Sequence, residues 1–543
     1  MRWFDYIVVG AGSAGCILAS RLTEDPSCTV LLLEAGHEPT GVLRDMPGSI
    51  FKMMAGRPDL SWNFTSEPEP GLDGRKVPLP RGKTLGGSSQ INGLVYTRGH
   101  ASDFDEWARL SSPDWDWQHV RRYFERFEAS IVSAPDHGRL LQDTFRTAAI
   151  QAGHQPAQLD PRSCDGFVPS ELTADRRGRR MSAHRAFLRP VRGRPNLTVV
   201  SGAHASRVLI ERGRATGVEY MRRNRMETAH CDGEVILCGG VYGSPQLLLL
   251  SGIGPPEAIR AAGLAPLVDR AEVGANLAEH PMTWLHYVTK EPSLVEELRW
   301  DRAAAAVARW ALLGRGLFAS NFCGGHLFAR SSAELAAPDI QVSCFPIDKN
   351  AKLWFPLVRR RAAYGQGLML QLVRPASRGS VTLAGSDPRM PPRISLNLLT
   401  EPRDVDAMVA AIRIGRQLLR QPALQAMGAT EDMPGPQCTD VRELQAYLRR
   451  VCMIGQHAAG TCRMGSDADS VVDPHLRVRG VQGLRVVDAS VMPIVTRANT
   501  NAAAMMIACK AADMILHPSL GSPVEKAAAG EARGISEETR LSS

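Results

Sequence analysis

The chain has 543 residues, more than one hydrophobic core usually supports, so at least two domains are expected. An apolar fraction of 44% with 22% charged residues excludes a disordered or membrane-embedded chain and fits a globular enzyme. Formal charge is +8, but the basic excess sits in short clusters such as 176–180 and 359–361 with no nucleic-acid-binding motif beside them. Nucleic acid is therefore excluded as a partner, the clusters read as solvated loops, and an acidic membrane surface is the better alternative use for them.

The first element is an apolar strand from Phe4 to Val9. It empties into Gly10, Gly12 and Gly15, a helix opens near Ser13, and a second apolar run from Cys28 to Leu33 ends on Glu34. That order is a dinucleotide-binding βαβ unit. Gly10 makes the tight turn, Gly12 lets the backbone approach a pyrophosphate, and Gly15 lets the helix pack on the strand. The phosphates would sit on the helix N-terminus at Ser13 and Ala14, where unpaired N–H groups favour an anion. Glu34, followed by Ala35, suits a ribose hydroxyl pair and would repel a 2′-phosphate, which argues against NADP. NAD and FAD both remain open at this point, because both use this turn. The strand begins almost at Met1, leaving no room for a signal peptide, and the eleven scattered cysteines show no CxxC pair and no metal-ligand spacing. A reducing, cytoplasmic setting without a metal is expected.

The next informative block runs from Arg81 to Tyr96. Glycines 82, 86 and 87 allow a flat ligand to pass close to the backbone, and its serines and Asn92 can hydrogen-bond to that ligand. A buried strand is expected from Glu234 to Gly240, then a helix from Ser244 to Gly254 opened by Pro245. The stretch from Trp300 to Phe318 reads as a packed or lid helix, although its apolar and arginine residues also allow a peripheral membrane contact. From about 291 to 450 the texture changes to strands and Pro- or Gly-bearing turns, with a helix near 404–419. Another strand is expected from Gly483 to Ala489. A helix follows from Asn501 to Leu516 with Asn499 or Thr500 as its cap, and the tail beyond His517 is expected to fray. No apolar run approaches the roughly 20 residues that span a bilayer.

With these blocks assembled, the chain resembles the glucose-methanol-choline oxidoreductases over nearly its whole length. The motifs that carry the likeness are the loop from Gly82 to Asp105, the segment from Gly240 to Gly254, and the run from Gln456 to Gly465 with Asn499 and Asn501. Val241 departs from the second motif, where a small residue is usual. The resemblance implies a Rossmann-type α/β FAD-binding domain, discontinuous over 1–155, 196–290 and 451–520. It also implies an α+β substrate-binding domain with an antiparallel sheet over 291–450, joined by 156–195, and leaves 521–543 as a flexible tail.

It further implies FAD rather than NAD, held by Gly10, Gly12, Ser13, Ala14, Gly15, Glu34, Ala35, Arg81, Gly86, Gly87, Asn92, Gly93, Leu94, Val95, Val208, Asp488, Ala489 and Asn501. Some members attach the flavin through a histidine in the first loop; Ile91 stands there, so a non-covalent, dissociable flavin is expected. The substrate is expected to be a primary alcohol or polyol, with oxygen, a quinone or another carrier as electron acceptor.

Oxidising an alcohol needs a base for the hydroxyl proton. Of the 14 histidines, His457 lies in the family's catalytic motif and takes that role, while His280 and His286 read as packing or loop residues. Asn499 matches the position of its partner. An amide cannot titrate, so one ionisation, that of His457, is expected to govern activity. A choline dehydrogenase proper and a flavin-containing hydroxynitrile lyase are the alternatives. Against choline, Cys323 stands where many relatives carry a glutamate. Phe322, Phe345, Trp354 and Phe355 are candidate pocket walls.

Overall fold

The computed structural model describes residues 3–49, 58–134, 139–157, 162, 165–347, 351–355 and 363–517. The arginine cluster at 359–361 and the expected tail lie outside them.

Trp3–Val9 is the centre of the first sheet. Val8 lies opposite Leu32 of Val30–Glu34 on one side and Ile236 of Arg225–Leu237 on the other, both parallel. A strand covered on both faces reads as a continuous apolar run, and Val30–Glu34 is buried at every position. Leu197–Ser201 adds outside Val30–Glu34, and Leu484–Val486 lies parallel to Arg225–Leu237. The antiparallel strands Ala203–Glu211 and Arg214–Arg222 complete the sheet. Three parallel strands from remote parts of the chain therefore deliver Gly10, Glu34 and Gly239 to one edge, and Leu484–Val486 brings Asp488 to it. Ligands of open α/β sheets bind at such carboxyl ends. Helices Ser13–Leu22 and Thr500–Leu516 pack against each other beside this edge.

The second sheet is antiparallel, in the order Thr430–Met433, Pro281–Val288, Gly365–Leu372, Ile340–Phe345, His326–Ala329, Gly166–Val168, with Met453–Ile454 also on Pro281–Val288. This corrects the expected boundaries. Pro281–Val288 and Met453–Ile454, expected within the FAD-binding domain, both pair in the second sheet. One face carries Leu285, Leu327, Leu368, Leu370 and Leu372 and packs on helix Pro402–Leu419. Helix Trp300–Leu313 ends at Gly314 (φ 66°) and covers a separate small core of Met46, Val295, Trp310, Phe318 and Phe322.

The helix expected from Ser244 begins a turn earlier and spans Gly240–Leu250, with Pro245 inside it. Proline has no N–H for the carbonyl four residues back. That carbonyl, of Val241, accepts the Thr461 hydroxyl instead at 2.6 Å. Pro245 thus tethers the helix to the motif that holds His457, and this turn accommodates the departure at Val241.

Candidate active site

The glycines of the first turn are required for different reasons. A Cβ on Gly10 (φ 102°) would lie 2.4 Å from the Cys238 carbonyl oxygen, and one on Gly15 would lie 1.9 Å from the Gly10 oxygen. Packing within the protein demands both. Gly12 is extended, and a Cβ there would meet nothing within 4 Å. No protein atom explains glycine at that position, whereas a pyrophosphate resting on the turn does. Gly87 closes over the same spot, its missing Cβ 2.7 Å from the Gly12 Cα, and the Gly86 amide donates to the Ala11 carbonyl at 2.7 Å.

Glu34 is buried at the end of its strand, next to the half-buried Ala35, and accepts the amides of Ala11 (2.9 Å) and Gly36 (2.8 Å). Burial pushes its pKa up to about 7, and the two amides act against that rise. Ser13 donates to Asn501 Oδ1 at 2.6 Å, joining the first motif to the last helix, while Ala14 packs under the turn. Asp488 accepts the Gly240 amide (2.9 Å), the Ser244 hydroxyl (2.6 Å) and the Ser490 amide (2.8 Å), and Ala489 opens the short turn that follows.

The loop of Asn92, Gly93, Leu94 and Val95 is held from outside. Arg180 Nη1 donates to both oxygens of Asn92 (2.8 and 2.7 Å), Asn321 donates to the Gly93 carbonyl (2.9 Å), the Leu94 carbonyl accepts the Thr173 amide (2.9 Å), and Val95 bridges to Leu172. Arg180 is 1% exposed, which corrects its expected place in a solvated cluster. Burial lowers its pKa to about 10, and the carbonyls around it repay part of the desolvation.

Two expected cofactor contacts are placed differently. Val208 is buried in the core and its amide donates to Ser251 Oγ at 2.9 Å, so neither its amide nor its side chain is open to a ligand. Arg81 stacks its guanidinium 5.0 Å from the Tyr242 ring centroid, bonds Gln456 Oε1 and reaches Glu279 at 3.5 Å. Its charge acts on His457.

His457 and Asn499 come together. Asn499 Nδ2 lies 2.7 Å from His457 Nε2. Thr97 sets the amide: its hydroxyl donates to Asn499 Oδ1 and accepts the Asn499 N–H, both at 3.1 Å. The oxygen is thereby turned away and the NH₂ faces the ring, so His457 Nε2 carries the lone pair and Nδ1 the hydrogen. Asn499 occupies the cap position of helix Thr500–Leu516, but its side chain makes no capping bond. Of the two sequence readings, the partner of His457 is the one its geometry supports.

Sequence reasoning missed the groups behind the ring. His457 Nδ1 lies 3.1 Å from His280 Nδ1, and Gln371 Nε2 is 2.8 Å from both. His280, expected as a packing or hydrogen-bonded loop residue, contacts His457 because Glu279 accepts the amides of both His457 (2.7 Å) and His280 (2.9 Å) with one oxygen. A Cβ on Gly455 would lie 2.7 Å from Gln371 Nε2 and 2.8 Å from His457 Nδ1, so a larger residue there would push on both side chains. Burial, then the charge of Arg81, lower the His457 pKa to about 3. The imidazole is neutral throughout the physiological range. Trp354 and Phe355, expected as pocket walls, belong to the cap formed by helix Trp300–Leu313 and the small core it covers: Trp354 Nε1 donates to the Val295 carbonyl and Phe355 stacks on Trp300. Phe322 also lies in the cap core, whereas Phe345 sits on the second sheet beside Trp284.

Sequence patterns specific to the GMC oxidoreductases match residues 4–282 and 375–508. The chain belongs to this family. The GMC oxidoreductase described here is 38% identical to the oxygen-dependent choline dehydrogenase of Burkholderia ambifaria (95% of this chain, 94% of that one). It is also 38% identical to the one of Xanthomonas axonopodis pv. citri (95% and 96%). Among solved structures it is similar to pyridoxine 4-oxidase from Mesorbium loti (30% identity, TM-score 0.83, 95% and 99% covered). A formate oxidase from Aspergillus oryzae is also similar (27%, 0.86, 95% and 99%).

As a GMC oxidoreductase the protein is an FAD-dependent enzyme acting on CH–OH donors. The turn around Gly12 fits that cofactor. Among the described residues no cluster could hold a metal ion, and no helix is long and apolar enough to cross a membrane.

Proposed function

We propose that this enzyme oxidises a primary alcohol or polyol, with His457 as the base and Asn499 as the group that holds the substrate oxygen. The single observation that carries the reading is the 2.7 Å contact between His457 Nε2 and the Asn499 amide, whose orientation Thr97 sets. FAD bound at the sheet edge supplies the acceptor for the hydride leaving the carbinol carbon. His457, neutral because it is buried, takes the hydroxyl proton on Nε2. Asn499 donates to the oxygen as negative charge gathers there, and Glu279, Gln371 and His280 hold the ring in place.

Anaerobic mixing with an alcohol is expected to bleach the visible flavin band and yield the aldehyde or ketone in equal amount. A hydroxynitrile lyase would cleave its substrate with the band intact. Choline oxidation is the second reading, favoured by the 38% identity to choline dehydrogenases and by the Trp284–Phe345 pair, whose rings lie 5.3 Å apart.

The flavin is held without a covalent bond, because Ile91 offers no nucleophile and packs against Leu60. Acid precipitation is expected to leave the yellow colour in the supernatant; a yellow pellet would reverse this. Oxygen, a quinone or another carrier then reoxidises the flavin. A cytoplasmic site is supported by the ten described cysteines, all free. A peripheral membrane contact is supported by Leu312 and Leu313 on the outer side of the cap helix, 82% and 66% exposed.

A further inference from the structure

The two faces of the antiparallel sheet are chemically unlike. Leucines fill the one on helix Pro402–Leu419, whereas the other turns Gln371 toward His457. Directly opposed residues of neighbouring strands share a face. Gln341 is opposite Gln371, and Ser343, two residues along the same strand, is opposite His326. All four polar side chains therefore belong to the face over the reaction centre, and each is at most 1% exposed.

Three of them are joined by hydrogen-bond contacts, and Gln371 stands beside Gln341 across the strand pair. His326 Nδ1 lies 2.8 Å from Ser343 Oγ, and Gln341 Nε2 lies 3.2 and 3.3 Å from those same two atoms. Both ends are tied to the site. Gln371 touches His457 at one; at the other, Cys323 Sγ lies 3.9 Å from His326 Nε2, and Asn321, which accepts the Cys323 amide, donates to Gly93 of the cofactor loop. With strands about 4.8 Å apart, the row spans about 10 Å from Gln371 to His326.

Gln371 Oε1 and Gln341 Oε1 are buried with no hydrogen-bond partner in the protein. The hydrogen on His457 Nδ1 requires the Gln371 amide turned over, its oxygen toward the ring and its NH₂ alone; turning Gln341 over likewise only exchanges which end is alone, and an orphaned buried amide end is costly. A ligand hydroxyl, donor and acceptor at once, satisfies either end. A trimethylammonium group satisfies neither. Among the described residues no charged group acts on His326, whose pKa burial alone lowers to about 4.

Resting on the reading of His457 as the base, we propose that the row of Gln371, Gln341, Ser343 and His326 is a hydroxyl-reading subsite, and that the substrate is an uncharged alcohol with further hydroxyl groups along its chain rather than a quaternary ammonium alcohol.

The holoenzyme is tested anaerobically, by flavin reduction, with two length-matched pairs, 1-butanol with erythritol and 1-hexanol with sorbitol, and with choline, since Trp284 and Phe345 offer a cation an aromatic wall on the same face. The hydroxylated member of at least one pair is expected to show a kcat/KM about tenfold or more above its alkanol and above choline. Gln341→Met is expected to lower that preference about tenfold, mainly through KM. Ser343→Ala, a smaller change, is expected to lower it in the same direction and serves if Gln341→Met does not fold.

Binding supplies a second readout. The preferred polyol is expected to perturb the flavin absorption of the His457→Ala holoenzyme, and Gln341→Met in that background to abolish the perturbation. Preference for choline or for the plain alkanols, or a Gln341→Met effect equal on all five probes, overturns the proposal. Undiminished flavin reduction in His457→Ala overturns the base instead and leaves the binding result to judge the subsite by itself.

Discussion

His457→Ala is expected to yield a yellow, folded enzyme whose flavin is reduced by alcohol about 10²–10⁴ times more slowly, the usual worth of a positioned base. Rapid-mixing absorbance measures that step apart from binding. The pH dependence of the wild type follows from the same geometry. The active form is the neutral imidazole, and burial together with the Arg81 charge holds its pKa down at about 3. Activity is therefore flat through neutrality and is lost only as pH falls well below 6.5, the value of an unburied histidine. Asn499 adds no second limb, because an amide does not titrate. A bell with two limbs that both vanish on substituting His457 and Asn499 would contradict this assignment.

Gly12→Val is expected to leave a folded but colourless protein. The Cβ enters space with no protein atom within 4 Å, so the side chain built on it is directed against the ligand. Each backbone bond that the pyrophosphate would lose is worth about 1.5–3 kcal/mol, so FAD binding is expected to weaken by about one to two orders of magnitude for each. Gly15→Val gives a different outcome. Its Cβ would lie 1.9 Å from the Gly10 oxygen, so the strand and helix cannot pack and the protein itself is destabilised. Circular dichroism with flavin titration separates the two: native folding without FAD for Gly12→Val, loss of both for Gly15→Val.

Features carried by local pattern were legible in the sequence. The nucleotide turn and the helix Ser13–Leu22 follow from a short motif whose spacing has a mechanical cause, whereas the pairing of His457 with Asn499 was implied by the resemblance to a family. His280, Glu279 and Gln371 were not legible, because each enters the site through tertiary contacts: a carboxylate shared by two amides, and an amide between two rings. A signal for Gln371 does exist. In Gly365–Leu372, leucines 368, 370 and 372 alternate with Gly367, Met369 and Gln371, and that period separates a core face from a working face. Arg180 was misread because charge runs usually face solvent, and only the folded chain brings the Asn92 carbonyl to it. The domain boundaries slipped because Pro281–Val288 and Met453–Ile454 leave the nucleotide-binding segments to join the other sheet, and strand pairing over such distances has no local signature.

The joining of Ser13 to Asn501 has a consequence for synthesis. While the ribosome is still extending the chain, the N-terminal turn lacks both the helix Thr500–Leu516 that packs beside it and the strand Leu484–Val486 that brings Asp488 to the same edge. The site is complete only once more than 500 residues have emerged, so FAD loading is expected to follow synthesis of nearly the whole chain.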